Sequence, residues 1–171
     1  MKKNDAFKFT LIFRLSQDTP KTEQMLDALF EAGCDDALVG LGRVGYIALD
    51  FEREAKNAEI AVNSAIRNVA AAIRGAKLVE AKPDLVSATE VAELTGCSRQ
   101  NIRKHLSDKA DAPAPAYFGG GVALWHLSAL LPWLEKYTQL RVEETIARAA
   151  QAVMRANLAI QEQNLKQRKS A

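Results

Sequence analysis

Apolar and polar residues alternate strictly near the start of the chain, at residues 7–15 (FKFTLIFRL). One face of this segment carries the apolar residues Phe7, Phe9, Leu11, Phe13 and Leu15. The other face carries Lys8, Thr10, Ile12 and Arg14. A period of two residues is typical of a half-buried β-strand, so the pattern predicts a strand here.

A helical pattern follows between residues 19 and 33. Thr19 is suited to an N-cap, Pro20 to the first helical position and Gly33 to the C-terminal end. The apolar stripe predicted to face inward consists of Met25, Leu26, Leu29 and Phe30.

Two strands and a second helix complete the first half. Residues 36–41 and 45–52 predict strands joined by a glycine-rich turn, and residues 54–75 predict a helix that ends at Gly75. Its inward positions are Val62, Ile66, Val69 and Ile73. Residues 76–81 predict a last strand. The order βαββαβ is that of a ferredoxin-like sandwich, so residues 1–82 are predicted to form one domain whose sheet leaves one face open for dimer pairing, a small ligand or RNA.

Two capped helices follow a boundary at Pro83. Ser87 and Glu90 have the spacing of a capping box, which predicts a helix from Ala88 with Val91 and Leu94 facing inward. Gly96 ends that helix and Ser98 caps the next, whose buried stripe is Ile102 and Leu106.

The second of these helices presents polar residues on every outward position. Gln100 and Lys104 point farthest from the buried stripe, Asn101 and Arg103 lie on its flanks, and Arg99 lies in the first turn. Arginine, asparagine and glutamine can pair with base edges, and lysine most often meets phosphate. Residues 97–107 contain no acidic side chain that would repel a phosphate backbone. The pattern predicts a DNA-binding helix-turn-helix, with a solvated basic helix as the alternative.

A β-hairpin wing and a further helix are predicted between residues 108 and 137. The hairpin has its glycine turn at Gly119, Gly120 and Gly121, and the helix after it is predicted to be capped by Ser128. The turn carries no charge, so the wing would either contact phosphate through glycine N–H groups or not contact DNA at all. Residues 83–137 are thus predicted to be a winged helix-turn-helix domain.

Residues 138–171 contain no proline or glycine and predict a long helix. Spacings of four and three mark a seam of Val142, Ile146, Ala149, Val153, Ala156 and Ile160. The favoured interpretation is a dimerisation seam, and the alternative is a helix that packs on its own chain.

The composition favours a cytoplasmic globular protein and shows no large overall excess of positive charge. The chain has 171 residues, 48% of them hydrophobic, and a net charge of only +2, so any basic surface must come from local clustering. Two distant cysteines and the lack of a signal-peptide pattern favour a cytoplasmic chain without disulfides or membrane spans.

Other motifs receive structural interpretations. GLGRVG (residues 40–45) has the spacing of a dinucleotide loop, but a strand pattern follows it where a helix would be needed, which favours a hairpin turn. Cys34, Asp35 and Asp36 suggest a polar turn with a buried thiol, and His126 suggests a capping or packing histidine. No catalytic set, metal site or cofactor site is predicted.

Residues 85–134 resemble the winged helix-turn-helix of the MerR and excisionase (AlpA-like) superfamily. The matching positions are Ser87, Glu90, Val91, Ala92, Leu94, Gly96, Ser98, Ile102, Leu106, Pro113, Pro115, Trp125, Trp133 and Leu134. The resemblance implies a bacterial DNA-binding transcriptional regulator that binds double-stranded DNA as a homodimer.

Three functions remain open from the sequence. The first is that regulator, in which Ser98, Arg99, Gln100, Asn101, Arg103 and Lys104 contact the DNA. Of these, Gln100, Asn101, Arg103 and Lys104 are expected at bases or adjacent phosphates, and Arg99 is expected at phosphate. The second is an antitoxin-like protein that binds its own promoter and a protein partner. The third is an enzyme or small-ligand module that uses the first half.

Overall fold

The structure, a computed structural model, describes residues 4–138 and 141–169. Within these ranges the chain forms six helices and two sheets whose strands are all antiparallel, a mixed α+β architecture. The outermost parts of the predicted domains, residues 1–3, 139–140 and 170–171, lie outside the described residues. None of the helices in the described ranges combines the length and the hydrophobicity needed to cross a membrane.

The first sheet contains four strands, which are β1 (Asp5–Arg14), β2 (Ala37–Gly40), β3 (Tyr46–Ala55) and β4 (Lys77–Lys82). Their order is β2-β3-β1-β4, with Leu11 of β1 opposite Leu49 of β3 on one side and Ala81 of β4 on the other. The alternation predicted for β1 is confirmed, because Phe7, Phe9, Leu11 and Phe13 are all buried.

Helices α1 (Thr22–Glu31) and α2 (Ala58–Ala72) contribute to the core of this first half. Asn57 caps α2 through its side chain, which accepts a hydrogen bond from the Ile60 amide at 2.9 Å. Three of the four predicted inward residues of this helical segment, Val62, Val69 and Ile73, are buried, and Ile66 packs against the same core.

The start of α1 and half of its predicted stripe are corrected by the structure. Thr19 does not cap the helix, because its hydroxyl donates to the Ser16 carbonyl at 2.8 Å in a turn three residues before α1 begins. Met25 is buried as predicted, but Leu26 is 39% and Phe30 is 69% exposed. Only the Met25–Leu29 stripe faces the core, since residues one position further along are turned about 100° away from it.

The second half begins at residue 85. It contains β5 (Leu85–Val86), α3 (Ala88–Thr95), α4 (Arg99–Asp108), β6 (Tyr117–Gly119), β7 (Val122–His126) and α5 (Leu127–Tyr137). The three strands form the second sheet in the order β5-β7-β6. The hydrophobic core of this second half includes Val91, Ile102, Leu127, Leu130, Leu131, Trp133 and Leu134.

Two predictions for this half are wrong. Leu94 is 42% exposed rather than buried. Ser128 does not cap α5, because the helix already begins at Leu127 and the Ser128 hydroxyl donates to the Met154 sulfur at 3.1 Å. His126 occupies the N-cap position without a side-chain capping bond.

The long helix α6 (Glu144–Lys169) belongs to both cores. Ala149 and Val153 are buried in the first core, and Ala156 packs against it. Ala150 is buried in the second core, and Val142 and Ile146 pack against that one. The stripe predicted as a dimerisation seam therefore has its partners within the chain from residue 142 to residue 156, which corresponds to the alternative of a helix packed on its own protein. Ile160, the last residue of the seam, is partly exposed.

Asn157 of α6 joins the two halves through hydrogen bonds. Its side chain accepts from the Ala81 amide and donates to the Ala81 carbonyl, each at 2.8 Å, which closes this stretch of the β4 edge. The same amide group donates to Asp84 at 2.8 Å, and the other carboxylate oxygen of Asp84 lies 2.7 Å from Nδ1 of His126. The hydrogen bonds of Asn157 and Asp84 thus join four parts of the chain, which are β4, the connection after β4, the end of β7 and α6.

Candidate nucleic-acid interface

Local capping fixes both helices of the predicted helix-turn-helix. The Ser87 hydroxyl accepts from the Glu90 amide at 3.3 Å, and the Glu90 carboxylate accepts from the Ser87 amide at 2.8 Å, so the predicted capping box is confirmed. Gly96 follows α3 with φ +68°, a left-handed conformation that glycine adopts without steric cost. The Ser98 hydroxyl then accepts from the Asn101 amide at 3.1 Å and starts α4.

Helix α4 is anchored by one side and exposed on the rest of its surface. Ile102 is fully buried and Leu106 packs beside it, as predicted. The side chains that the sequence assigned to DNA are all exposed: Ser98, Arg99, Gln100, Asn101, Arg103 and Lys104. Among the described residues, none of the last five has a side-chain hydrogen bond or an ion pair, so their donors are available to a ligand.

The exposed side chains of α4 divide into three directions. Relative to Ile102, a rotation of 100° per residue turns Arg99 and Arg103 toward one flank and Asn101 toward the opposite flank. Gln100 and Lys104 lie between the flanks and point farthest outward. Arg99 and Arg103 line a cleft that β6 and β7 close on the other side.

Strands β6 and β7 form the β-hairpin that the sequence predicts between residues 108 and 137, and this hairpin is called the wing. Gly119 pairs with Val122, and Gly120 and Gly121 between them have φ of +59° and +77°, the signature of a type I′ turn. The base of the wing is held by β5 and by the connection after α4, since Trp125 pairs with Val86 of β5 and donates through its indole N–H to the Pro113 carbonyl at 2.9 Å.

The surface of the wing is apolar. Tyr117 is 55%, Phe118 83% and Val122 48% exposed, and residues 117–125 contain no charged side chain. The exposure of Phe118 was not predicted, because a hairpin of two short strands does not reveal from its sequence which face the helices cover. The cleft between wing and α4 has a volume of about 660 Å³.

The connection between α4 and the wing is held to α5. The Asp111 carboxylate accepts hydrogen bonds from the Tyr137 hydroxyl and, at 3.1 Å, from the Lys136 ammonium. The pKa of Asp111 is lowered from its ordinary value, chiefly by the hydrogen bond from Tyr137. The pKa of Lys136 is raised, and its neighbour Tyr137 is again the largest cause.

Cys34 and Asp36 belong to a buried ion-pair cluster around Arg53. The Arg53 guanidinium donates to both carboxylate oxygens of Asp36, at 2.7 and 2.8 Å, and also to the Gly33 carbonyl and the Ser64 hydroxyl. Burial is the main cause that raises the pKa of the Cys34 thiol above its ordinary value, which makes it a poor nucleophile. Arg53 was missed from the sequence because its partners lie between 11 and 20 residues away.

The remaining sequence motifs have structural positions. Residues 40–45 connect β2 to β3 directly, so GLGRVG is followed by a strand, as expected for a hairpin turn. The open face of the first sheet carries paired polar groups, with the Thr10 hydroxyl donating to Asp50 at 2.6 Å and Lys8 lying 3.5 Å from Glu52. In the described part of the chain, no group of three or more His, Cys, Asp or Glu residues is placed to hold a metal ion.

Comparison of the chain with protein-family models, with curated proteins and with solved structures finds no match. The function is therefore inferred from the geometry of α4 and the wing.

Proposed function

We propose that this chain is a sequence-specific double-stranded DNA-binding protein and a transcriptional regulator, with residues 85–134 acting as a winged helix-turn-helix behind a ferredoxin-like sandwich. The observation that carries the proposal is the surface of α4. Five consecutive or near-consecutive polar side chains are exposed there, unpaired among the described residues and free of acidic neighbours before Asp108. A helix of this kind suits the major groove, which admits an α-helix and displays a distinct pattern of donors and acceptors for each base pair.

The protein scaffold supports this assignment because three contacts hold α4 in place. It is capped at its start by Ser98, fixed by Ile102 in the core, and flanked by a wing whose base is hydrogen-bonded to the loop before it. Recognition of bases requires side chains held in register, and these contacts fix the helix that carries them.

The proposal includes a two-fold dimer on paired half-sites, as most helix-turn-helix readers use. Its interface must lie outside the stripe from Val142 to Ala156, because that stripe packs within its own chain. Light scattering of the full chain, free and with DNA, tests the dimer separately from DNA binding.

Selection of bound sequences from a random duplex pool, followed by fluorescence polarisation on the selected duplex, tests the proposed function. Wild-type protein is expected to prefer the selected duplex over a scrambled one, and the variant Gln100→Ala/Lys104→Ala is expected to lose most of that preference. Arg67→Ala on the exposed side of α2 is the matched control. Equal affinity of the wild-type protein for selected and scrambled duplexes would refute the proposal.

A further inference from the structure

The cleft between α4 and the wing has two chemically different walls. On the α4 side it is lined by Arg99, Arg103 and Ser107. On the wing side it is lined by Phe118, Gly121 and Val122. The two arginines are one helical turn apart on the same flank, so their guanidinium groups extend along the same wall.

The charge of the cleft is matched to an anion. No aspartate or glutamate lines it, and within the described ranges neither Arg99 nor Arg103 is neutralised by a protein carboxylate. Two unpaired cations beside each other repel one another until a negative group lies between or across them. Guanidinium groups bind phosphate through short, charge-assisted hydrogen bonds that are frequently bidentate, so a phosphate is well suited to this wall.

The wall of the cleft formed by the wing requires that the ligand also has an apolar part. Phe118 is 83% exposed and lies in β6, where it pairs with Ala123 of β7 two residues before the Gly120–Gly121 turn. A ligand that covers this ring must be anionic on one side and apolar on the other. The sugar–phosphate chain of DNA has this alternation, with charged phosphates and largely apolar deoxyribose rings.

We infer that the cleft holds the backbone of one DNA strand, with Arg99 and Arg103 on its phosphates and Phe118 packed against a deoxyribose. This inference rests on the proposed function and extends it. Arg103, which the sequence places among the residues at bases or adjacent phosphates, is assigned to phosphate. Recognition of base edges is left to Gln100, Lys104 and Asn101, which lie outside the cleft. The uncharged wing therefore contributes a nonpolar contact, and the charge comes from the helix.

The role of Arg103 is tested by comparing two substitutions on a selected and a scrambled duplex. Arg103→Ala is expected to weaken binding to both duplexes by the same factor and to reduce the slope of log K against log salt by about 1, which makes the loss of affinity between 50 and 200 mM salt roughly threefold to fourfold smaller than in the wild type. Arg103→Lys is expected to restore the salt slope and part of the affinity on both duplexes, since lysine binds phosphate as a point charge but without the bidentate geometry of arginine. If Arg103 instead contacted a base, Arg103→Ala and Arg103→Lys would both lose the preference for the selected duplex over the scrambled one, and Arg103→Lys would not restore affinity for the selected duplex.

The role of the wing is tested with Phe118→Ala, and Phe30→Ala is its matched control because Phe30 is a comparably exposed phenylalanine on α1. Phe118→Ala is expected to weaken binding roughly fivefold, the value of burying about half of a phenyl ring. Its salt slope should stay unchanged because no charge is removed. Both positions are exposed, so circular dichroism is expected to show the wild-type fold. Affinity equal to that of Phe30→Ala would overturn the cleft assignment.

Different experimental results would refute the proposed function and the cleft assignment. If the wild-type chain binds no duplex even at low salt, the proposed function is wrong and the cleft assignment falls with it. If the wild type binds with sequence preference but Arg103→Ala and Phe118→Ala behave like Arg67→Ala and Phe30→Ala, only the cleft assignment is wrong.

Discussion

Asn157 is expected to be one of the most sensitive polar residues for stability, although it is only half-buried. Its side chain makes three hydrogen bonds, two with the backbone of Ala81 and one with the carboxylate of Asp84. Asn157→Ala removes all three at once. It leaves an amide and a carbonyl of an edge strand, and one oxygen of a buried carboxylate, without their partner.

The magnitude follows from the kind of bond. A neutral hydrogen bond contributes about 0.5–1.5 kcal/mol net and one to a charged group about 1.5–3 kcal/mol. The three bonds together sum to about 2.5–6 kcal/mol. Water can reach part of this site, so the expected loss in the free energy of unfolding is about 2.5–4 kcal/mol, the lower part of that range. For a chain of this size the loss corresponds to a decrease of about 5–15 °C in Tm.

Urea denaturation measured by circular dichroism provides the assay, and Asn164→Ala is the control. Asn164 lies on the exposed surface of the same helix, so its substitution gives the same gain of about 0.5 kcal/mol in helix propensity without loss of these bonds. Asn157→Asp should cost more than Asn157→Ala at pH 7, because a carboxylate cannot donate to the Ala81 carbonyl and repels Asp84. If Asn157→Ala and Asn164→Ala differ by less than about 0.5 kcal/mol, the three bonds do not hold the halves together.

Further expectations concern the first half and the turn between the helices. Asp36→Ala is expected to lower the free energy of unfolding by about 3–5 kcal/mol in urea denaturation, because it leaves the buried Arg53 guanidinium without its carboxylate. Arg53→Met should cost less, since the Asp36 side chain that remains is 27% exposed and can be hydrated. Cys34 should react with a thiol reagent at pH 8 far more slowly than Cys97, because burial shields it and its raised pKa reduces its thiolate fraction. Gly96→Ala should cost about 1–2 kcal/mol in thermal or urea unfolding, from the left-handed conformation alone, since no atom beyond Gly96 and its two chain neighbours lies within 4 Å of the added Cβ.

The following results of these experiments would contradict the expected stabilities and reaction rates. A larger loss for Arg53→Met than for Asp36→Ala would mean that the backbone and serine contacts of the guanidinium outweigh its charge pairing. Equal labelling rates for the two cysteines would show that the first core opens readily. An unchanged stability for Gly96→Ala would show that the turn after α3 relaxes out of the left-handed conformation.

The predictions that succeeded from the sequence were local or periodic. The alternation of Phe7 to Phe13 identified β1 because a sustained period of two residues matches the pleat of a strand and not the turn of a helix. The pair Ser87–Glu90 identified the start of α3 because both partners of a capping box lie within one turn. The exposed face of α4 could be assigned in the same way, from the position of Ile102 alone.

The failures involved competition between local signals or contacts between distant residues. Thr19 has the right residue type for a cap, but its hydroxyl is used by the turn before α1. Asn157 lies 76 residues from Ala81, and no pattern in the sequence of α6 distinguishes it from the exposed asparagines and glutamines near it. The alanine stripe of α6 satisfied a coiled-coil spacing, yet spacing does not reveal whether the partner helix belongs to another copy or to the same chain.

Because α6 completes both cores, this protein is less modular than its sequence suggests. A fragment ending at Tyr137 would expose the surfaces that Ala150 and Val153 cover, and it would be expected to aggregate or unfold whether or not the intact chain is a dimer. Neither half is expected to fold independently when it is separated at Pro83 and fused to another protein. Any chimera that keeps the second half must also carry residues 141–169, and with them a surface shaped for the first sheet.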